Sequence, residues 1–356
     1  MKRRVVAVVI LILAVAVEAD PLLFEQTAPL NVVLTGPFKS LYKNRKKDIR
    51  PYSEGRFAFL DAQGEKITIP VNIKTRGNFR RVNCTNPPLR LNFKKKGNDG
   101  TLMAGQDKLK LVAPCKRSGR YEELISLEYL AYQIFERVSE YHLKTRQLDI
   151  GYVDSTKQGR PWQTRAFLIE DINAAAARGN QIQKVVKEAS RRKLDHGQTA
   201  LVELFQFFLG NTDYSTLRGP PGDDCCHNMR VVGEEGSDIL YPIPYDFDAS
   251  GFVDAPYSSP AQAYPIKKTT QRYFTGWCKE ERFYAQAIAV FSAARSDIKN
   301  VVVDAALLSD KTLKKTLKFI DDFYSVIGDD QRVQEQIIAR CRGNMIPPPV
   351  TLDSEA

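Results

Sequence analysis

Asp213, Asn228 and Asp246 are the side chains whose types and order suggest chemistry in this chain. Phosphoryl transfer needs one Asp to orient the attacking hydroxyl, and an Asn with a second Asp to hold a divalent cation against a triphosphate. Magnesium, or manganese in its place, is a hard ion served by oxygen ligands, which these residues supply. On this reading Asp213 is the catalytic residue, while Asn228 and Asp246 are metal ligands. Asp248 either adds a ligand or braces Asp246. Asp213 and Asn228 stand 15 positions apart, where about 5 is usual in a catalytic loop of this kind. The excess has to loop out through Arg218 to His227, a stretch whose Gly and Pro residues form turns and exclude helix.

Simpler readings compete. Asp and Asn favour turns in any loop. The run from Asp246 to Gly251 opens like a calcium loop, but its twelfth place is Tyr257 rather than Glu, which argues against an EF-hand.

Those carboxylates need elements to carry them. Thr199 to Leu209 spaces Leu201, Leu204, Phe205 and Phe208 as a buried helix does, and Gly210 supplies its stop. Tyr241 to Pro244 is an apolar run that delivers Asp246 and Asp248 at its end. Upstream, Leu30 to Phe38 reads as a strand. Residues 56–60 and 66–74 form a hairpin around 61–64, and 88–93 and 108–112 alternate apolar with polar. Leu109 and Leu111 share one face of the last of these, with Lys108 and Lys110 on the other. A long amphipathic helix from Tyr121 to Val138 follows. A strand lysine ahead of a helix bearing Glu is the arrangement that pairs an ATP-contacting lysine with an acid. Lys110 is the lysine so predicted, with Glu123 or Glu128 as its partner. Residues 147–153 and 164–170 read as two more strands ending at Glu170, where a hinge is expected, and helices dominate beyond it, among them 280–294 and 311–327.

At the start, a Lys2-Arg3-Arg4 head, an apolar run from Val5 to Val17 and small residues to Ala19 read as a secretory signal peptide cleaved near Ala19. Export implies a secreted or periplasmic protein with no stable membrane span after cleavage. The full chain carries +10; removing residues 1–19 takes three positive charges and one negative, leaving +8. That balance suits an acidic or phosphorylated partner, whereas the scattered Lys and Arg carry no nucleic-acid motif. The six cysteines, Cys84, Cys115, Cys225, Cys226, Cys278 and Cys341, read as disulfides in an exported chain, with the pairing left open. Cys225 and Cys226 lack the two-residue gap of a zinc knuckle.

Taken together, the Arg76-Gly77-Asn78 turn, the Leu109-Lys110-Leu111 strand, Phe167 to Glu170, Asn211-Thr212-Asp213, Asn228 and Tyr245 to Asp248 resemble the spore-coat-protein-H (CotH) kinase family over about residues 65–255. The resemblance implies an atypical protein kinase that moves phosphate from ATP to Ser or Thr of a protein substrate, with Mg2+ or Mn2+. It also implies that Arg76 and Glu170 belong to the nucleotide site with Lys110. The sequence departs from the family in Phe79-Arg80-Arg81 after the Arg-Gly-Asn turn and in the enlarged loop before Asn228. The fold so expected is α+β and two-lobed, protein-kinase-like, with a mainly antiparallel β lobe over 20–170, a mainly helical lobe over 171–345 and a disordered tail over 346–356. A protein of another class fits the same residues: a catalytically silent surface or periplasmic binding protein holding a partner in the same groove.

Overall fold

The computed structural model describes residues 22–94, 98–156 and 159–349. The expected signal peptide over residues 1–19, and the end of the expected tail, lie outside them. In chain order the elements are β1 (Leu30–Gly36), α1 (Phe38–Lys43), β2 (Ser53–Leu60), β3 (Lys66–Thr75), α2 (Phe79–Asn83), β4 (Leu89–Phe93), β5 (Lys108–Val112), α3 (Gly119–Glu136), β6 (Thr145–Asp154) and β7 (Trp162–Ile169). Then come α4 (Ile172–Arg178), β8 (Ile182–Lys184), α5 (His196–Leu209), β9 (Met229–Gly233), β10 (Tyr241–Pro244), α6 (Glu281–Ala293), α7 (Arg295–Asp304), α8 (Asp310–Ile327) and α9 (Asp330–Gln336).

Period-two alternation builds the first unit. Leu30, Val32 and Leu34 of β1, Phe57 and Phe59 of β2, Ile69, Val71 and Ile73 of β3, and Leu109 and Leu111 of β5 are all buried in one cluster. Their polar neighbours point outward. The sheet does not stay open. Its strand order is β1-β2-β3-β4-β5-β7-β6, and β6 closes it by pairing with β1 in parallel, Leu30 opposite Leu148 through Gly36 opposite Asp154. A closed seven-stranded barrel with a parallel seam replaces the expected mainly antiparallel β lobe, and with it the two-lobed kinase-like architecture. The cause is non-local. Alternation fixes which face of a strand is buried but not its distant partner, and every strand edge left open invites pairing.

β5 and β7 bury both faces. Leu111 and Leu168 enter the barrel, while Val112, Phe167 and Ile169 join a second core with α3 and α5. That core holds Ile134, Phe135, Phe205, Phe207, Phe208 and Phe247, and α6, α7 and α8 pack around it. Fully burying each such side chain contributes about 1.5–3 kcal/mol relative to exposure, so the aromatic run of α5 anchors this layer. Asp195 caps α5 by accepting from the Gln198 amide at 2.7 Å. Gly210 ends it at φ 60°, where a side chain would be strained.

Disulfides join Cys84 to Cys115, Cys225 to Cys226 and Cys278 to Cys341. Three such bonds place the chain in an extracellular or otherwise oxidising compartment. Among the described residues, no helix is long and apolar enough to cross a membrane.

Candidate active site

The end of α5 and the turn after β10 are stitched together. Phe252 N donates to Leu209 O at 2.9 Å and Gly251 N to Gly210 O at 3.2 Å, and a Cβ at Gly251 would collide with the Thr269 carbonyl. Beyond Gly210, buried Asn211 donates to Gln206 Oε1 at 2.8 Å and accepts from the Asp213 amide at 2.9 Å. This side-chain turn aims the Asp213 carboxylate away from the core, into a cleft of about 1100 Å3.

Asn228 reaches the same cleft despite the long insertion. A bridge pairs Ser215 with His227, so residues 216–226 project as a loop and the chain returns beside Asp213. Asn228 Nδ2 then donates to Asp213 O at 2.7 Å and to Asp213 Oδ2 at 3.0 Å, while His227 Nε2 lies 2.8 Å from Asp213 Oδ1. His227 is pushed above its ordinary value by that hydrogen bond. β9 and β10 pair antiparallel, Met229 opposite Pro244, and Tyr245 N donates to Asn228 O at 3.1 Å. Asn228 and Asp246 thereby flank one end of a two-strand ladder.

Asp246 sits at φ 65° with its amide donating to Tyr132 Oη at 2.9 Å. The turn is pinned by fully buried Phe247, whose ring lies 4.6 Å from Tyr132 and 5.4 Å from Phe205. Asp248 accepts from Tyr257 Oη at 3.0 Å and lies 3.5 Å from Arg80. Burial, and then the neighbouring Asp246, push the Asp248 carboxyl up to about 6. Glu128 of α3 meets Arg80 at 2.9 Å and is pushed up to about 8 by burial. Burial works against the Arg80 charge, but Tyr257, Glu128, Asp248 and Asp246 together outweigh it and hold the guanidinium above its ordinary value.

Across the cleft stands a set of cations. Arg90 and Lys110 are directly opposite on β4 and β5, Arg76 follows the end of β3, and Arg230 lies on β9. All four line the cleft with Asp213, Asn228, Asp246 and Asp248. Among the described residues none of the four is ion-paired with a carboxylate. Lys110 lies 4.0 Å from the centre of the Tyr245 ring, and Arg230 5.1 Å. Burial foremost, then Arg76 and Arg230, push Lys110 down to about 7. Cations gathered in a half-enclosed groove favour an anion.

The structure thus brings Arg76, Lys110, Asp213, Asn228, Asp246 and Asp248 to one place, with Glu128 behind them on Arg80 rather than on Lys110. Glu123 is elsewhere: it accepts from Ser309 N at 2.7 Å and Thr312 Oγ1 at 2.9 Å, at the N-terminus of α8. Glu170 accepts from Lys144 N at 2.9 Å and Arg178 at 2.8 Å, tying β7 to α4. Sequence reasoning overlooked Arg80, Arg90, Arg230 and His227. Arg90 shares the outward face of its strand as Lys110 does, and His227 adjoins Asn228, so both had a local signal; Arg80 and Arg230 become visible only through tertiary pairing.

Among the described residues, no group of three His, Cys, Asp or Glu side chains is gathered for a metal. The oxygens available at the cleft, the Asp246 carboxylate with the Asn228 amide and Asp248 beside it, fit an ion that takes few protein ligands and completes its shell with phosphate and water, as magnesium does. No protein-family model matches the chain, and no curated protein matches it either.

Proposed function

We propose that this protein is a magnesium- or manganese-dependent phosphotransferase of the CotH kinase type, exported by its N-terminal signal peptide, that transfers the γ-phosphoryl group of ATP to Ser or Thr of a protein substrate. The observation that carries the reading is the pairing, in one cleft, of four cations that have no carboxylate ion pair among the described residues (Arg76, Arg90, Lys110 and Arg230) with the oxygen set of Asp213, Asn228 and Asp246. The barrel side supplies Arg76, Arg90 and Lys110 and β9 adds Arg230, while the loops after α5, before β9 and after β10 supply Asp213, Asn228 and Asp246.

Lys110, Arg76, Arg90 and Arg230 would take the phosphates. Asp246 and Asn228 would hold the metal, which neutralises charge developing on the transferred group when bound. Asp213 would orient the acceptor hydroxyl and accept its proton, with His227 and Asn228 fixing its carboxylate. Arg80 and Tyr257 hold Asp248 in place, so Asp248 braces the turn that presents Asp246. Positioning and charge neutralisation do most of the work in such a reaction.

One observation favours the silent binding protein as a second reading. Both Asp213 carboxylate oxygens already have partners in His227 and Asn228, which suits a groove that holds a phosphorylated ligand without turning it over. Two measurements separate them. Thermal shift with Mg-ATP should show about 2.7 kcal/mol of stabilisation near 100 Kd, lost in Asp246→Ala. Radiolabel transfer from ATP to protein acceptors should fall at least about 100-fold in Asp213→Asn with nucleotide binding retained. Nucleotide binding without any transfer leaves the silent reading; no binding of any nucleotide refutes both the transferase and its ATP site.

A further inference from the structure

The cationic wall does not stop at the cleft. Arg50 Nη1 donates to Thr75 O at 3.0 Å, next to Arg76. Arg81 Nε donates to Gly77 O at 2.8 Å, on the cleft lip, and Arg81 Nη1 to Arg45 O at 2.5 Å. Arg45 in turn donates to Tyr42 O at 2.7 Å. Lys46 and Lys47 stand exposed in the same loop between α1 and β2. Backbone carbonyls hold these arginines in place, and carbonyls carry no net charge. Their positive charge is therefore fixed in position without being neutralised, unlike a scattered surface lysine that is free to solvate. Arg50 is pushed below its ordinary value by burial and then by Arg81, with Asp48 opposing the shift. Asp48 is the single acidic residue between Tyr42 and Arg50, and among the described residues it pairs with none of them.

The geometry points to this ledge, running from the 44–50 loop through Arg81 and Arg50 to Arg76, as the docking surface for an acidic protein segment whose Ser or Thr is the acceptor in the cleft. Carboxylates of the segment would lie along the ledge while the hydroxyl reaches Asp213. This inference rests on the phosphotransferase reading for the acceptor's fate, but the docking itself does not depend on it. Complementary charge across such a rim raises association rate and selects partners more than it adds raw affinity.

The test uses the chain from residue 20 onward and three fluorescein-labelled peptides of equal length carrying one Ser: Glu-rich, Gln-rich and Lys-rich. Anisotropy should show the Glu-rich peptide bound, with affinity falling steeply as salt rises. Lys46→Glu/Lys47→Glu, at exposed positions where folding is not at risk, should weaken it about tenfold, and Arg50→Gln should weaken it further. Mg-ATP binding by the lysine variant should be unchanged. Equal binding of all three peptides, or no loss in the charge-reversed variant, overturns the proposal. So does binding to vesicles containing anionic lipid without binding to the Glu-rich peptide, which would make the ledge a membrane-facing surface. Glu-rich peptide binding in a protein that binds no nucleotide would keep the docking surface and sink the transferase, so the two failures are distinguishable.

Discussion

Replacing Arg80 by Met should expose how the acidic side of the cleft is held. Arg80 is the one guanidinium among Glu128 at 2.9 Å, Asp248 at 3.5 Å and the more distant Asp246, and it also donates to Ala113 O at 2.9 Å. Both members of the closest pair are nearly out of solvent, at 7% and 1% side-chain exposure. Removing one partner of such a pair costs about 3–5 kcal/mol because the other charge is stranded. Here Glu128 can take up a proton instead, so the lower end, about 3 kcal/mol, is expected at pH 8. For a chain of this size that is a fall in Tm of about 4 °C. The sign with pH follows from the carboxyls. Their folded-state values, about 8 for Glu128 and about 6 for Asp248, lie above their unfolded ones. Their contribution to stability is complete at acid pH and is lost as pH rises through about 6 and about 8. The wild type should therefore lose stability over that window, and Arg80→Met should lose more. At pH 5 both carboxyls are neutral in either protein, so the difference should shrink to the packing and the Ala113 hydrogen bond, about 1–2 kcal/mol. Urea denaturation at pH 5 and pH 8 measures it. An Arg80→Met protein as stable as wild type at pH 8, or one destabilised equally at both pH values, would refute the reasoning.

Lys110, depressed to about 7, should gain a proton when an anion fills the cleft, so ATP binding near pH 8 should take up protons, seen as a dependence of calorimetric heat on buffer ionisation enthalpy. Lys110→Met should abolish that dependence. Asp246→Ala should cut phosphate transfer by about 100-fold or more in a radiolabel assay, as expected for a group that places the metal. The Cys278–Cys341 bond spans 63 residues, and Cys278→Ser/Cys341→Ser should lower stability by about 2–4 kcal/mol in the same denaturation experiment. Phe247→Ala should cost about 3–5 kcal/mol by leaving a void beneath the Asp246 turn, and it should also lower transfer, because the turn loses its anchor.

Local pattern made much of this molecule readable. The alternation of Leu109, Lys110 and Leu111, the spacing of Phe205 and Phe208, and the Gly210 stop each mark an element whose form depends on nearby residues. What failed depended on distance along the chain. Nothing in Leu30 to Leu34 says that the strand will meet Leu148 to Tyr152 in parallel, so a mainly antiparallel lobe was expected where a barrel closes through a parallel seam. Lys110 was expected to seek a glutamate on α3, but the aromatic ring of Tyr245 occupies that place, and Glu128 faces the guanidinium of Arg80 from α2. Acidic residues on a helix look alike in sequence; Glu123 and Glu128 differ by which face meets which neighbour. The Asp213 to Asn228 insertion looked like an obstacle, yet the Ser215–His227 bridge removes its length from the problem.

The barrel seam bears on how the chain matures. β1, the first strand among the described residues, finds its parallel partner only in residues 145–154, and β5 reaches β6 only through β7. Until β6 and β7 are available, β1 to β5 form a meander with two unsatisfied edges, the kind of surface that recruits other chains. Closing a ring over so long a span is entropically costly and slow. Shortening the chain past Leu30 would leave that ring permanently open, so aggregation during biogenesis, rather than a weaker site, is the expected fate of such a fragment.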